Sequence, residues 1–81
     1  MGVNKRKGGK QNLTYNYNKL KGRMTEKGET QDSLSKKTGI SVTALWAKFQ
    51  NKSQFKQNEI AAICDLLDID GSEIALYFFS V

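Results

Sequence analysis

The residues best placed to recognise another molecule lie on a short helix predicted from residue 42 to about residue 50. Val42, Leu45 and Phe49 share the apolar side of this helix, with Trp46 at its border. The other side carries Thr43, Ala47 and Gln50. Val42, although near the apolar side, lies at the leading end of the helix, where its methyl groups can also reach a base edge. Methyl, hydroxyl and amide groups can contact base edges in the major groove of DNA. The four residues are therefore the predicted base contacts.

Four nearby residues are candidates for contacts to phosphate. Gln31 falls in the first turn of the preceding predicted helix, where free backbone N–H groups can hold a phosphate oxygen. Ser41 precedes the second helix, while Lys48 and Lys52 flank its end. The alternative for Gln31 is an exposed polar residue without a ligand. Lys36 and Lys37 either approach the DNA backbone or only complement the dipole at the end of their helix.

Cap signals predict the two helices that carry these residues. Thr30 can accept a backbone N–H at the start of a helix over residues 31–38, and Ser41 can do the same for the helix that follows. Gly39 lies between them, where a left-handed backbone conformation ends the first helix without steric penalty. Two short helices joined by such a turn form a helix-turn-helix unit.

This stretch resembles the lambda-repressor-like helix-turn-helix domains and, among them, the small phage Cro-type regulators. The resemblance extends from about Tyr15 to Phe79. It implies that the residues at the family's base-contacting positions bind the operator and that Lys52 contacts the DNA backbone. Two positions depart from the family pattern: Ser35 replaces a usual Ala, and Lys48 replaces a usual apolar residue. The matching residues are Thr30, Gln31, Leu34, Gly39, Ile40, Ser41, Leu45, Asn51, Lys52 and Ser53, and the implied operator contacts are Gln31, Val42, Thr43 and Ala47.

Three further helices complete the predicted all-α, compact five-helix domain of residues 15–81. The first runs from Tyr15 to Lys27 and stops at Gly28, and the fourth spans residues 57–67 with clear amphipathic spacing. Asp70 and Glu73 form a predicted capping box for a last short helix. Tyr15 and Tyr17 are assigned to the core edge in preference to stacking on a ligand. Trp46 either packs at the core edge, which is the favoured interpretation, or is a contact residue.

The C-terminal six residues are more apolar than one small core can absorb. We therefore expect a homodimer joined through Leu76, Tyr77 and Phe79. In the alternative interpretation, Phe78 and Val81 fold back on the first helix and complete the core of a monomer.

Charge divides the sequence into two unequal parts. Residues 1–56 hold all 13 Lys and Arg with three acids, whereas residues 57–81 hold the other five acids and no base. A basic part of this density attracts polyanions, and the acidic part is expected to face away from them. Residues 1–14 are predicted to be a disordered basic arm that contacts DNA, with a solvated tail as the alternative. The arm carries Lys5, Arg6, Lys7 and Lys10.

Residue types argue against catalysis. The chain has no His, a single Cys and no Gly-rich phosphate loop beside a strand. We therefore expect that it is not an enzyme and that it has no metal site, no cofactor and no small-molecule substrate. No apolar segment is long enough for a membrane span, and the lone Cys64 suits the cytoplasm. The sequence thus predicts sequence-specific binding of double-stranded DNA by a dimeric phage or prophage regulator of the Cro or repressor type. The alternative is a protein-binding module, such as a phage-encoded inhibitor that uses the same fold.

Overall fold

Five α-helices make up the part of the chain that the computed structural model describes, residues 14–81. No β-strand occurs in this range, and a single 3-10 turn, Gly71–Glu73, precedes the last helix. The all-α, five-helix prediction is confirmed. The predicted arm residues Lys5, Arg6, Lys7 and Lys10 lie outside the described residues. The helices are α1 (Asn18–Glu26), α2 (Gln31–Thr38), α3 (Val42–Phe49), α4 (Gln57–Leu67) and α5 (Ile74–Phe78).

Hydrogen bonds between side chains and nearby backbone groups cap α2 and α3 at the residues that the sequence predicts. The Thr30 hydroxyl accepts the Ser33 N–H at 3.1 Å, and the Ser33 hydroxyl accepts the Thr30 N–H at 2.8 Å. The Ser41 hydroxyl accepts the Ala44 N–H at 3.1 Å. Gly39 ends α2 with φ of +82°, a conformation that penalises a β-carbon. These bonds satisfy backbone donors that a helix start leaves unpaired, so both helices have fixed ends.

The first helix begins three residues later than predicted, because the backbone N–H groups of residues 15–16 make hydrogen bonds to other parts of the chain. The Asn16 N–H donates to the Ser80 carbonyl at 2.7 Å, and the Tyr15 N–H donates to Asn51 Oδ1 at 2.8 Å. The helix ends as predicted, with Gly28 at φ +71°. The predicted capping box before α5 is corrected: Asp70 is a cap, but its Oδ2 accepts the Ser72 N–H at 2.9 Å and the Ser72 hydroxyl at 2.5 Å, and the predicted partner Glu73 does not make these bonds.

Aromatic rings form the centre of the core between α1, α3 and the chain end. Tyr17, Phe49 and Phe55 make three mutual edge-to-face contacts, with ring centroids 5.5–5.8 Å apart. Phe78 joins them through Phe55 at 5.4 Å and is 1% exposed. Tyr17 is therefore structural, as predicted. The remaining buried apolar residues are Leu20, Met24, Leu34, Ile40, Leu45, Ile63, Cys64, Leu67 and Ile69.

Arg23 of α1 and Lys27, which directly follows α1, hold the end of α4. Arg23 donates to the carbonyls of Leu67 at 2.9 Å and Asp68 at 3.0 Å, which satisfies acceptors that a helix end leaves free. Lys27 donates to Asp68 Oδ2 at 2.8 Å, and this bond lowers the pKa of the Asp68 carboxyl. The pKa of Glu29 is lowered by the hydroxyl of Ser33 and then by Lys37. Two carboxylates are thus favoured in their charged form in the folded state.

We expect the stability of the fold to decrease in acid. The pKa values of Glu29 and Asp68 are lower when folded than the unfolded values of about 4.3 and about 3.9. Their stabilising contribution is complete above those unfolded values and is lost as the pH falls through the lower folded values. Urea midpoints at pH 7, 5, 4 and 3 measure this loss. A Glu29→Gln, Asp68→Asn variant should show a weaker dependence on pH, and an unchanged dependence would contradict the assignment.

Candidate nucleic-acid interface

One side of α3 is open to solvent while the opposite side is buried. On the inner side Leu45 is 0% and Phe49 is 5% exposed. The outer residues share an arc of about 140° on a helix of 3.6 residues per turn. They include all four predicted base contacts, of which only Ala47 is half-buried. The outer residues are Val42, Thr43, Trp46, Ala47 and Gln50.

The prediction that Trp46 packs at the core edge is wrong. Its side chain is 48% exposed, and it lies at the middle of the outer side of α3. The spacing already contained part of the signal, because Trp46 is four residues before Gln50, which was assigned to the outer side. Val42, which was grouped with the apolar side, is 43% exposed and also belongs to the outer side. Its large apolar ring outweighed this register in the prediction. The candidate interface therefore contains one aromatic residue that the favoured interpretation of the sequence had placed at the core edge.

A left-handed Asn residue ends α3 and fixes the position of Lys52. Asn51 has φ of +63°; its N–H donates to the Lys48 carbonyl at 3.1 Å, and the Lys52 N–H donates to the Ala47 carbonyl at 2.8 Å. This pair of bonds is a Schellman motif. It brings the Lys52 ammonium to 4.7 Å from the centre of the Trp46 ring, within cation–π range. Lys52 is exposed, as a phosphate contact requires.

The side chain of Asn51 also fastens the start of the described chain to the end of α3. Asn51 Oδ1 accepts the Tyr15 N–H at 2.8 Å, and Asn51 Nδ2 donates to the Tyr15 carbonyl at 2.9 Å. Both backbone groups of Tyr15 are thereby satisfied. The residue that directly follows the predicted arm, residues 1–14, therefore lies beside the candidate interface. Nothing in the local sequence pattern indicated this contact.

The prediction that Lys48 contacts phosphate is corrected. Its side chain is 7% exposed, and its ammonium lies 3.3 Å from Glu59 Oε1 and 3.3 Å from the Gln54 carbonyl oxygen. Lys48 stands on the inner side of α3, facing the start of α4. Glu59 also accepts the Lys56 N–H at 2.8 Å, which begins α4 in place of a side-chain cap at Lys56. The ammonium of Lys48 is therefore directed into the protein and away from any ligand on the outer side.

The other candidates for phosphate contact remain accessible to different degrees. Gln31 is half-buried in the first turn of α2, and Ser41 is exposed although its hydroxyl already accepts the Ala44 N–H. Lys37 donates to Glu29 at 2.9 Å, while Lys36 is exposed. The structure thus ties one of the two lysines at the end of α2 to a carboxylate.

The two charged parts of the chain are less separated in space than predicted. Arg23 and Lys27 contact Asp68, and Lys48 contacts Glu59, so three basic residues bind the acidic C-terminal part. Residues 41–56, by contrast, hold three lysines and no acid. Of these lysines, Lys52 and Lys56 are exposed. Uncompensated positive charge is therefore present at the end of α3 and in the loop after it.

The apolar C-terminus is only partly absorbed by the core. Phe78 is buried, in agreement with the alternative interpretation for that residue, and Tyr77 is half-buried against the core. Leu76 is 44%, Phe79 50% and Val81 81% exposed. Phe79 contacts the Tyr15 ring edge-on at 5.7 Å. Two of the three predicted interface residues thus present large apolar surface, whereas Val81 does not complete the core.

Residues 14–81 contain one thiol, that of Cys64. Cys64 is buried in the core, and this burial raises the pKa of its thiol, which disfavours the nucleophilic thiolate. In this range no three His, Cys, Asp or Glu side chains come together as metal ligands would. Nor does any helix here have the length and apolarity to cross a membrane.

The chain belongs to the family described as "Protein of unknown function (DUF739)", whose sequence model matches residues 13–81. This match covers every described residue and begins after the four basic residues of the predicted arm. A comparison with curated proteins gave no match. The family assignment therefore groups the whole helical domain with its relatives without assigning an activity to it.

Lys48 and Lys52 should differ sharply in their effect on stability. Lys48→Met leaves Glu59 in a largely buried site without its charged partner, so we expect the free energy of unfolding to fall by about 3 kcal/mol. Lys52→Met removes an exposed charge and should change it by less than about 0.5 kcal/mol. Urea denaturation of both variants makes the comparison. Equal losses would show that Lys48 does not anchor α3.

Proposed function

We propose that the chain is a sequence-specific double-stranded DNA-binding regulator in which α3 enters the major groove. The observation that carries this proposal is the arrangement of α3 itself. Its inner side is fixed by Leu45, Lys48 and Phe49, while its outer side presents groups able to contact base edges. The preceding helix and the turn at Gly39 support it, since they give the order of elements found in helix-turn-helix proteins.

Within this proposal the outer residues of α3 have separate tasks. Thr43 and Gln50 supply hydrogen-bonding groups, and adenine is the natural partner of a Gln amide. Val42 and Ala47 offer methyl contact. Gln31, Ser41 and Lys52 bind phosphate and set the position of α3 on the duplex. Lys48 has no part in these contacts.

The resemblance to Cro-type regulators extends the proposal to a cytoplasmic phage or prophage transcriptional regulator acting as a homodimer. Two copies of α3 would then lie one helical turn apart on DNA, about 34 Å. The half-exposed side chains of Leu76 and Phe79 support a dimer surface at the C-terminus. Arm residues 1–14 would add contacts through their positive charge.

A second function is favoured by one observation, the exposure of Val42 at 43% and Trp46 at 48% on the same side of α3. Large exposed apolar side chains are common at protein interfaces. The chain would then be a protein-binding module, such as a phage-encoded inhibitor, with α3 facing another protein. In that case Thr43 and Gln50 would tolerate substitution.

Selection of bound duplexes from a random DNA pool at near-physiological salt tests the two proposals. An inverted repeat with half-sites about one helical turn apart would support specific binding by a dimer. A single unrepeated half-site would support the regulator and remove the dimer. Binding that enriches no sequence and disappears with rising salt would reject the regulator and favour the protein-binding module.

Base and phosphate contacts should respond differently to substitution. Thr43→Ala should relax preference at one position of the selected site. Lys52→Ala should weaken selected and random DNA alike and reduce the salt slope by about one, because it removes one phosphate contact. Fluorescence anisotropy at several salt concentrations gives both quantities. If the two variants behaved identically, the division of roles would be refuted.

The proposed dimer surface predicts that a charge at Leu76 breaks self-association. Leu76→Asp should yield a monomer by sedimentation equilibrium and bind an inverted repeat no more tightly than a half-site. Ala61→Asp is the matched control, since it places the same charge at an exposed position of α4. A dimer that persisted in Leu76→Asp would place the contact elsewhere.

A further inference from the structure

The exposed apolar side chains of α3 form a stripe that the proposed hydrogen-bonding roles leave unexplained. Trp46 lies one helical turn after Val42, at the centre of the outer side, and both are nearly half exposed. Exposing an indole forgoes the free energy that its burial would supply. The helix therefore presents its largest apolar group at the point where the proposed function requires contact with DNA.

The environment of Trp46 gives the indole a positive neighbour. Lys52 stands 4.7 Å from the ring centre, and its backbone is held by the bond from its N–H to the Ala47 carbonyl. A cation at this distance is attracted to the face of the ring. Ala47, next to Trp46 in the chain, has a side chain small enough to let another surface approach closely. The indole is thus placed for contact beside the exposed side chain of Lys52.

Charge favours DNA over a protein as the occupant of this surface. Residues 41–56 contain no acid, and Lys52 and Lys56 are exposed there. The apolar side chains of α3 lie beside exposed lysines. The major groove of DNA has the complementary arrangement, with apolar groups on its floor and a line of phosphates along each edge. In the major groove, the apolar group on a base edge is the 5-methyl of thymine.

We propose that Trp46, together with Val42, determines specificity by packing against thymine 5-methyl groups in the major groove. This inference rests on the proposed DNA-binding function and adds the base that α3 selects. Gln50 lies one turn beyond Trp46 and can pair with adenine. The selected half-site should therefore contain thymine next to an adenine, giving an A·T-rich centre.

Replacement of thymine by uracil in the selected duplex tests this contact without changing the protein. Uracil lacks only the 5-methyl group and keeps the hydrogen-bonding edge. Each contacted thymine that is replaced should weaken binding about fourfold, the effect of losing one buried methyl-sized group. Equal affinity for the thymine and uracil duplexes would overturn the inference while leaving DNA binding intact, as would a selected site without thymine.

The same pair of duplexes assigns the contact to Trp46. Trp46→Ala should lose the fourfold preference at each thymine that Trp46 contacts, so its total discrimination between the two duplexes should fall, while the part supplied by Val42 remains. Ala61→Asp, at an exposed position of α4, should keep the full preference for thymine. Circular dichroism checks that Trp46→Ala remains folded. A Trp46→Ala variant that kept the full wild-type discrimination between the duplexes would overturn the role of Trp46. If the wild-type chain bound no duplex selectively, the proposed function and this inference would both fail, a result distinct from loss of the methyl preference alone.

Fluorescence adds a direct measurement, because Trp46 is the single Trp of the chain. Acrylamide, an uncharged quencher, should quench its emission at least twofold less efficiently once the selected duplex is bound. Unchanged quenching in the bound state would place Trp46 outside the interface and overturn the inference.

Discussion

The buried ammonium of Lys48 bonds to Glu59 and to the Gln54 carbonyl where α3 meets the start of α4. A charge removed from water is tolerated only when such partners replace its hydration. The neighbouring Phe49 packs into the aromatic cluster with Tyr17 and Phe55, so two consecutive residues fix the inner side of α3 by different means. The rotation of α3 about its axis follows, and with it the set of side chains that faces solvent.

One short segment lies between the candidate interface and the apolar C-terminus. Tyr15 is held by Asn51 at the end of α3, and Asn16 is bonded to Ser80 near the end of the chain. The Tyr15 ring in turn contacts Phe79. The two surfaces that the proposed regulator would use, one for DNA and one for its partner subunit, are thus connected through residues 15–16 and the core.

The proposals for DNA and protein partners depend on the same helix. Polar groups at Thr43 and Gln50 and the positive charge after α3 favour DNA, while the exposure of Val42 and Trp46 first suggested a protein. The proposed thymine methyl contact would reconcile these features, because it would give the apolar side chains a partner within the groove. The family match includes all of these residues and leaves the choice between partners to experiment.

The sequence by itself determined the features that depend on a few neighbouring residues. The caps at Thr30 and Ser41, the turn at Gly39 and the bounds of α4 were all predicted, because their bonds join residues no more than a few positions apart. The apolar spacing of the helices likewise identified most of the core.

Only the tertiary structure decided the roles of Lys48, Trp46 and Asn51. Lys48 needs a carboxylate 11 positions away, and Asn51 bonds to a residue 36 positions earlier in the chain. Because α4 places Glu59 beside it, the ammonium of Lys48 lies in the interior. The indole of Trp46 is then left on the outer side. Residue type indicated the reverse for both side chains, since burial depends on the partners that distant segments bring and not on polarity alone.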